Sequence, residues 1–469
     1  MPSSRLTDRP WAWVLAAAIL LAFGLGRMAL LDPDECRYAG AARQMLATGD
    51  LIVPMFNGTP RLNKPPLIYW LEAASIGLLG PTETAARLPS LLAAVLTLGL
   101  LVWWTTRQSG TLNRGAAVAL LATTPLVFAV ARLAITDMVL LCCLTSTILL
   151  WHEACHEANL FDRRRLAMAA SLSCGLAVLA KGPVGFLLPS AVIGASALLI
   201  RKPRMVTPRG LLAAACGIAL VTGPWLAGLA ARTGAAGILG LLRHEVVGRA
   251  IAGLDHPRPW YYLLVTFWPL FFPLSVAAPF LIHGALKPGR ERDPVAVFLA
   301  VWVVVVLAAF SLVTEKNDAY LLPAAPALAL LAARKLPRRL AMGASAMMAG
   351  VLVILVLFAS GAISSTRSLR QVVTTAGLNQ RGAYRLVGYK IRRPSLVYYS
   401  GRPALWVRSR RSLQETLAAI GPGEGVAVVM TEARFTRNGP ELIALLQGFD
   451  IIGEEGGYLV LFREGPPPG

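Results

Sequence analysis

The sequence predicts an α-helical protein that crosses a membrane many times and ends in a small soluble α/β domain. Of its 469 residues, 56% are hydrophobic and only 15% charged, with a mean hydropathy of +0.60. Apolar runs of roughly 20 residues, the length that spans a bilayer, recur along the chain. After Gly361 the composition changes to short runs rich in Val, Ile and Tyr.

The apolar runs are Trp11–Leu30, Leu88–Trp104, Ala116–Val130, Met138–Trp151, Leu166–Ala180, Val184–Ile200, Leu211–Ala230, Tyr261–Ile282, Val295–Val313, Ala319–Ala333 and Leu340–Gly361, about eleven spans in all. The first is too long, and followed by too poor a cleavage site, for a removable signal peptide, so a retained signal anchor is expected. Residues 31–87 read as a long outer loop. In it Ala39–Thr48, ended by Gly49, and Leu67–Leu79 should form helices, with Tyr69 and Trp70 suited to the membrane interface. After the last span, Ser395–Tyr399, Gly425–Met430, Phe449–Ile452 and Tyr458–Phe462 read as strands. Ser412–Ile420 and Glu441–Leu446 read as helices between them. The expected units are therefore residues 1–361, the membrane domain, residues 362–464, the small domain, and a Pro-rich disordered tail, 465–469.

The formal charge is +20. Its distribution argues against nucleic acid, because a basic groove would not be divided among short loops. Basic residues gather in every second loop: Arg107 and Arg114; Arg163, Arg164 and Arg165; Arg201, Lys202, Arg204 and Arg209; Lys287, Arg290 and Arg292; Arg334, Lys335, Arg338 and Arg339. The positive-inside rule makes those loops and the N-terminus cytoplasmic, and puts the alternate loops and the C-terminal domain outside. Four of the six cysteines (Cys142, Cys143, Cys174, Cys216) fall in apolar runs and only Cys36 is expected outside, so no disulfide framework follows.

Six groups of ionisable residues fall on the outer side. They are Asp34-Glu35 with Arg37 and Tyr38; Asn63-Lys64; Arg132 with Asp137; Lys181; Arg243-His244-Glu245 with Arg249, Asp255, His256 and Arg258; and Glu315-Lys316-Asn317-Asp318 with Tyr320. Any one of them reads equally well as a side chain reaching for water at a helix end. Together they describe either ion pairs that tie loops together or a polar cavity that opens outward. Charges held near the apolar phase face a cavity or a partner. Lysines and arginines there suit the phosphate of a lipid, and a carboxylate beside them suits a general base. That pairing is what glycosyl transfer from a lipid-phosphate sugar requires, since cations stabilise the phosphate as it leaves. A lone His such as His244 or His256 is more often a hydrogen-bonding group than a metal ligand.

Several segments resemble the lipid-phosphate-sugar-dependent glycosyltransferases of the GT-C type. The likeness is to the bacterial branch that includes the 4-amino-4-deoxy-L-arabinose lipid A transferase, and to the related protein O-mannosyltransferases. The segments are Asp32–Asp50, Asn63–Trp70, Ala86–Ala94, Thr136–Leu140, Gly175–Pro189 and Glu315–Leu331. The resemblance implies a GT-C fold of about 11–13 spans and an inverting transfer at the outer face of a bacterial inner membrane. The donor would be a polyprenyl-phosphate (undecaprenyl-phosphate-like) sugar, and the acceptor lipid A, another glycolipid or a protein. It implies Asp34 as the catalytic carboxylate, supported by Glu35, with Asp137 as a second acid. Arg37, Lys64 and Tyr320, with Lys181 and Lys316, would meet the donor phosphate. Tyr38, Arg132, His244 and Glu245 would line the cavity. A divalent metal is a candidate cofactor, although the aminoarabinose branch has a metal-associated glutamate where this chain has Asn63. From another class, an anionic-lipid transporter or flippase would show broken helices at mid-membrane.

Overall fold

The computed structural model describes residues 9–108, 112–201, 207–242, 257–289, 293–420, 423–437 and 439–465. Each of the eleven apolar runs contains helix, although the first is helical only as far as Ala22. The membrane domain begins with α1 (Pro10–Ala22), α2 (Asp34–Thr48), a short antiparallel hairpin of β1 (Met55–Phe56) and β2 (Thr59–Pro60), and α3 (Leu67–Leu79). It continues with α4 (Glu83–Arg107), α5 (Arg114–Ala122), α6 (Pro125–Val130), α7 (Thr136–His156), α8 (Leu160–Lys181), α9 (Val184–Ile200) and α10 (Pro208–Leu242), which is broken at Gly234. Then come α11 (Tyr262–Leu270), α12 (Leu274–Leu286), α13 (Pro294–Leu312), a 3-10 helix (Asp318–Ala324), α14 (Ala325–Lys335) and α15 (Arg338–Arg367).

Among the described residues, α4, α7, α10, α13 and α15 are long and apolar enough to cross a membrane. The pair α11–α12, bent by 116°, is a sixth candidate by length and composition. The other apolar runs form shorter or interrupted helices. The run Ala116–Val130 breaks before Pro125, where a proline N1 starts α6, and Ala319–Ala333 begins as 3-10 helix before α14 takes over.

The two helices expected in the first outer loop are present. Gly49, in the left-handed conformation at φ 70°, ends α2 as its sequence position predicts. Helices α2, α3 and α4 meet through a cluster of small side chains, Ala39, Ala42, Ala73, Ala85 and Ala86, so their backbones approach closely.

The C-terminal domain contains α16 (Arg370–Thr375), β3 (Arg385–Tyr389), α17 (Pro394–Ser400), β4 (Ala404–Val407), α18 (Arg410–Ile420), β5 (Val426–Thr431), α19 (Glu432–Arg437), α20 (Gly439–Leu445), β6 (Asp450–Glu455) and β7 (Tyr458–Arg463). Its sheet has the order β4-β3-β5-β7-β6. β3 lies parallel to β4 and β5, while β7 runs antiparallel to β5 and β6. Alternate residues serve opposite faces, as period-2 strands require. Leu386, Ala427 and Val460 pack with α16 and α17, and Val387, Val428 and Leu461 pack with α18 and α20.

The structure corrects one expected strand. Ser395–Tyr399 lies within α17, a helix started by Pro394 and ended by Gly401 at φ 71°. Its β-prone Val and Tyr residues are overridden by a contact from the far end of the chain. The Asp32 carboxylate accepts hydrogen bonds from the Ser395 backbone N–H (2.7 Å) and from its hydroxyl, at the helix N-terminus where an anion is favoured.

That contact belongs to a joint between the first outer loop and the C-terminal domain. The Tyr399 hydroxyl accepts from the Leu30 N–H (2.8 Å) and donates to Glu83 (3.0 Å), which Arg370 also reaches at 3.3 Å. Tyr398 is buried among the alanines of α2, α3 and α4. The Asn57 amide, in the hairpin turn, exchanges two hydrogen bonds with the backbone of Ala404, at 3.0 and 2.7 Å. All six cysteines are free thiols.

Candidate functional site

The first turn of α2 presents two carboxylates in different directions, because adjacent residues on a helix point about 100° apart. Glu35 turns inward and is 2% exposed. Its Oε1 accepts from Arg87 Nε and from the Ala134 N–H, both at 2.8 Å. Its Oε2 accepts from Arg87 Nη2 and the Leu31 N–H, both at 2.9 Å. A carboxylate has about four acceptor sites, so these bonds use them all. Arg87, on α4, is also fully buried, and it donates to the carbonyls of Leu25, Met28 and Ala29. Glu35 thus fixes α2 against α4, the chain after α1 and the turn before α7, and with them the turn that carries Asp34.

Asp34 turns outward, with 58% of its side chain exposed and Arg37 at 4.0 Å one turn on. Tyr38 is buried against Tyr69, with ring centroids 5.4 Å apart. The Arg61 guanidinium lies 5.1 Å over Tyr38 and donates from Nε to the Tyr69 hydroxyl at 3.1 Å. Arg37, Arg61, Asn63, the hairpin and the C-terminal residues Arg392, Pro394 and Trp406 enclose a cavity of about 410 Å³. Burial, and then repulsion from Arg61, hold the Arg37 guanidinium below its ordinary pKa.

A second group forms where α7 starts and α8 ends. Asp137, in the first turn of α7, pairs with Lys181, the last residue of α8, and both side chains are largely buried. Gly182 follows at φ 78°, a left-handed turn that lets the chain reverse directly after the lysine. The Lys181 ammonium lies 5.2 Å from the ring centre of Tyr320, which itself stacks on Phe310 at 4.9 Å. Burial pushes the Tyr38 hydroxyl well above its ordinary pKa, and Tyr69 adds to the shift. Lys64, which follows the cavity residue Asn63 in sequence, is buried.

Two expected residues stand apart. Arg132 donates to the carbonyls of Leu21 and Phe23 and covers the Phe128 ring, closing the end of α1. Lys316 is buried and donates to the Val313 carbonyl and, at 3.2 Å, to that of Arg258. Both use donors on backbone carbonyls. His244 and Glu245 lie outside the described residues. Arg61, Arg87 and Arg392 were not singled out by sequence reasoning. The signal for Arg87 was present, since an arginine near the start of an apolar helix needs a buried partner.

Among the described residues, no three His, Cys, Asp or Glu side chains come together as a metal site. Glu35 and Asp137 are committed to Arg87 and Lys181, and the position before Lys64 is an amide. That donor set does not fit a resident divalent metal.

Residues 63–227 match the family model described as dolichyl-phosphate-mannose-protein mannosyltransferase. An uncharacterised Aquifex aeolicus protein is 31% identical over 326 residues, 68% of this chain and 62% of that one. The undecaprenyl phosphate-alpha-4-amino-4-deoxy-L-arabinose arabinosyl transferase of Pseudomonas aeruginosa is 32% identical over 343 residues, 71% of this chain and 61% of that one. The chain thus spans about three fifths of the length of these curated relatives. Among solved structures, ArnT from Cupriavidus metallidurans bound to undecaprenyl phosphate superposes with a TM-score of 0.77, at 19% identity, over the whole of both chains.

Proposed function

We propose, for a chain that belongs to the GT-C type shared by the aminoarabinose transferases and the protein mannosyltransferases, that it transfers a glycosyl group from a polyprenyl phosphate to an envelope acceptor. The transfer takes place at the outer face of a bacterial inner membrane, with the N-terminus cytoplasmic. A phosphorylated glycolipid such as lipid A is the favoured acceptor class, and a protein is the alternative.

The observation that carries this reading is the division of labour in the first turn of α2. Asp34 is an exposed carboxylate held in place by a buried neighbour whose own acceptor sites are full. In the reaction the acceptor oxygen attacks the anomeric carbon. The bond from that carbon to the phosphate oxygen breaks, its electrons leave with the lipid phosphate, and the configuration inverts. The proton of a hydroxyl acceptor passes to Asp34. A phosphate acceptor arrives ionised, and Asp34 then orients it through Arg37. Lys64, Tyr320 and Lys181 stabilise the leaving phosphate, with Asp137 holding Lys181 in place. Glu35 is a positioning residue.

The bent pair α11–α12 is the feature that favours a transporter. One experiment separates the two readings. The full chain in nanodiscs receives a polyprenyl-phosphate sugar and an envelope lipid extract. Asp34→Asn should lower the transfer rate by about 10²–10⁴-fold and leave donor binding intact. Equal rates for the two proteins would remove Asp34 from the chemistry.

A further inference from the structure

The cavity above Arg37 has a wall that the membrane domain does not supply. Its lining joins α2 and the hairpin to Arg392, Pro394 and Trp406 of the C-terminal domain. It brings three guanidinium groups, Arg37, Arg61 and Arg392, to one space of about 410 Å³. Of these, Arg61 is fixed by Tyr38 and Tyr69, and Arg37 faces Asp34. Arg392 is exposed, and its neighbour in sequence shows the contrast. Arg393 donates to the Tyr458 hydroxyl at 2.9 Å and lies 3.7 Å from Asp32, so it serves the joint, whereas Arg392 serves the cavity.

Three like charges around one cavity repel each other, and that repulsion is relieved when an oxyanion enters. Arginine forks match phosphate oxygens in a bidentate manner. Two further observations extend the ligand beyond a bare anion. The buried Asn63 Oδ1 has no hydrogen-bond partner among the described residues, and it can accept only from a donor such as a hydroxyl. Trp406 supplies an aromatic face on the C-terminal side. The volume falls within the range of small-ligand sites, roughly 300–1,000 Å³.

We infer that this cavity is a subsite for a phosphorylated saccharide, the head group of the acceptor, and that the C-terminal domain completes it through Arg392 and Trp406. The inference rests on the glycosyltransferase reading and adds the part of the acceptor that is read. The phosphate sits among Arg37, Arg61 and Arg392, a sugar hydroxyl donates to Asn63, and a ring face lies on Trp406. The cavity is bounded by elements outside the spans, which suits a group presented from the aqueous side. The donor phosphate stays near Lys64 and Lys181.

The test uses the full chain in nanodiscs and reads binding and turnover separately. N-acetylglucosamine 1-phosphate, N-acetylglucosamine and inorganic phosphate are titrated by calorimetry against wild type, Arg392→Ala and Arg392→Lys. The sugar phosphate should bind more tightly than either of its parts. Arg392→Ala should weaken it by about ten- to a hundredfold, and lysine should restore part of the loss. With a phosphorylated glycolipid acceptor in the same discs, Arg392→Ala should raise the acceptor KM by a similar factor and leave the donor KM unchanged. That arm separates a lipid head group from a free sugar phosphate. Unchanged binding in Arg392→Ala, equal binding of the unphosphorylated sugar, no binding of any probe, or a rise in the donor KM instead would each overturn the inference. A wild type that binds the sugar phosphate through Arg392 but performs no transfer would keep the subsite and overturn the glycosyltransferase reading alone.

Discussion

The inner and outer sides of the first turn of α2 treat charge in opposite ways. On the inner side, around Glu35 and Arg87, the buried ions are matched and every carboxylate lone pair is filled. On the outer side, three guanidinium groups line one cavity, and one of them, Arg37, lies 4.0 Å from the exposed Asp34 carboxylate. A buried charge is tolerated only when it is paired and hydrogen-bonded, and Glu35, with every acceptor site used, has no capacity left for a ligand. The unmatched outer side gains most when a group of opposite charge arrives. A structural node and a binding surface thus sit one residue apart, and the state of their hydrogen bonds tells them apart better than their charge does.

The largest test of that contrast is Arg87→Ala. It leaves Glu35 buried without its counter-ion and should cost about 3–5 kcal/mol, seen as a lower thermal midpoint in detergent. Asp34→Asn, one residue from Glu35, should unfold like wild type. If both variants melted alike, the distinction between the two sides would be lost. A middle case is Asp137→Asn, where Lys181 keeps only part of its burial. Losing that charged hydrogen bond should cost about 1.5–3 kcal/mol in the same assay. Adding Lys181→Met should recover stability, and a double variant weaker than the single one would assign the cost to packing instead.

The smallest effect concerns Asp32, in the joint. Burial raises its carboxyl above the ordinary value of 3.8, against the lowering effects of Ser395, Arg393 and Arg37. The folded state therefore holds the proton more tightly than the unfolded chain. This contribution to docking is fully present below pH 3.8 and is lost as pH rises through the elevated value. Proteolysis of the 365–370 segment should become faster with rising pH in wild type relative to Asp32→Asn. A slope shared by both proteins would point to another group.

Much of the membrane domain was legible because its signals are local. Apolar length and the Gly49 cap each act within a few residues. The failures came from partners distant in sequence. Ser395–Tyr399 has strand-like composition, and its helix is set by Asp32, 363 positions away. β3 and β4 are not legible in the sequence because Arg385–Tyr389 and Ala404–Val407 are short runs with little alternation, the first interrupted by Gly388 and the second directly after Pro403. In the site, the different directions of Asp34 and Glu35 follow from helix geometry. The partner that commits Glu35 does not, since Arg87 lies 52 positions on. Arg392 was less accessible still, because only the docked C-terminal domain places it beside Arg37 and Arg61.

The joint also has a bearing on biosynthesis. Leu30 and Asp32 follow α1, a short apolar helix, while Ser395 and Tyr399 emerge from the ribosome hundreds of residues later. The outer loop cannot take its final shape until that last segment has been made and brought to the same side of the bilayer. An unfinished or truncated chain would have its helices and still lack one wall of the cavity, so the cavity is completed only when the last segment docks.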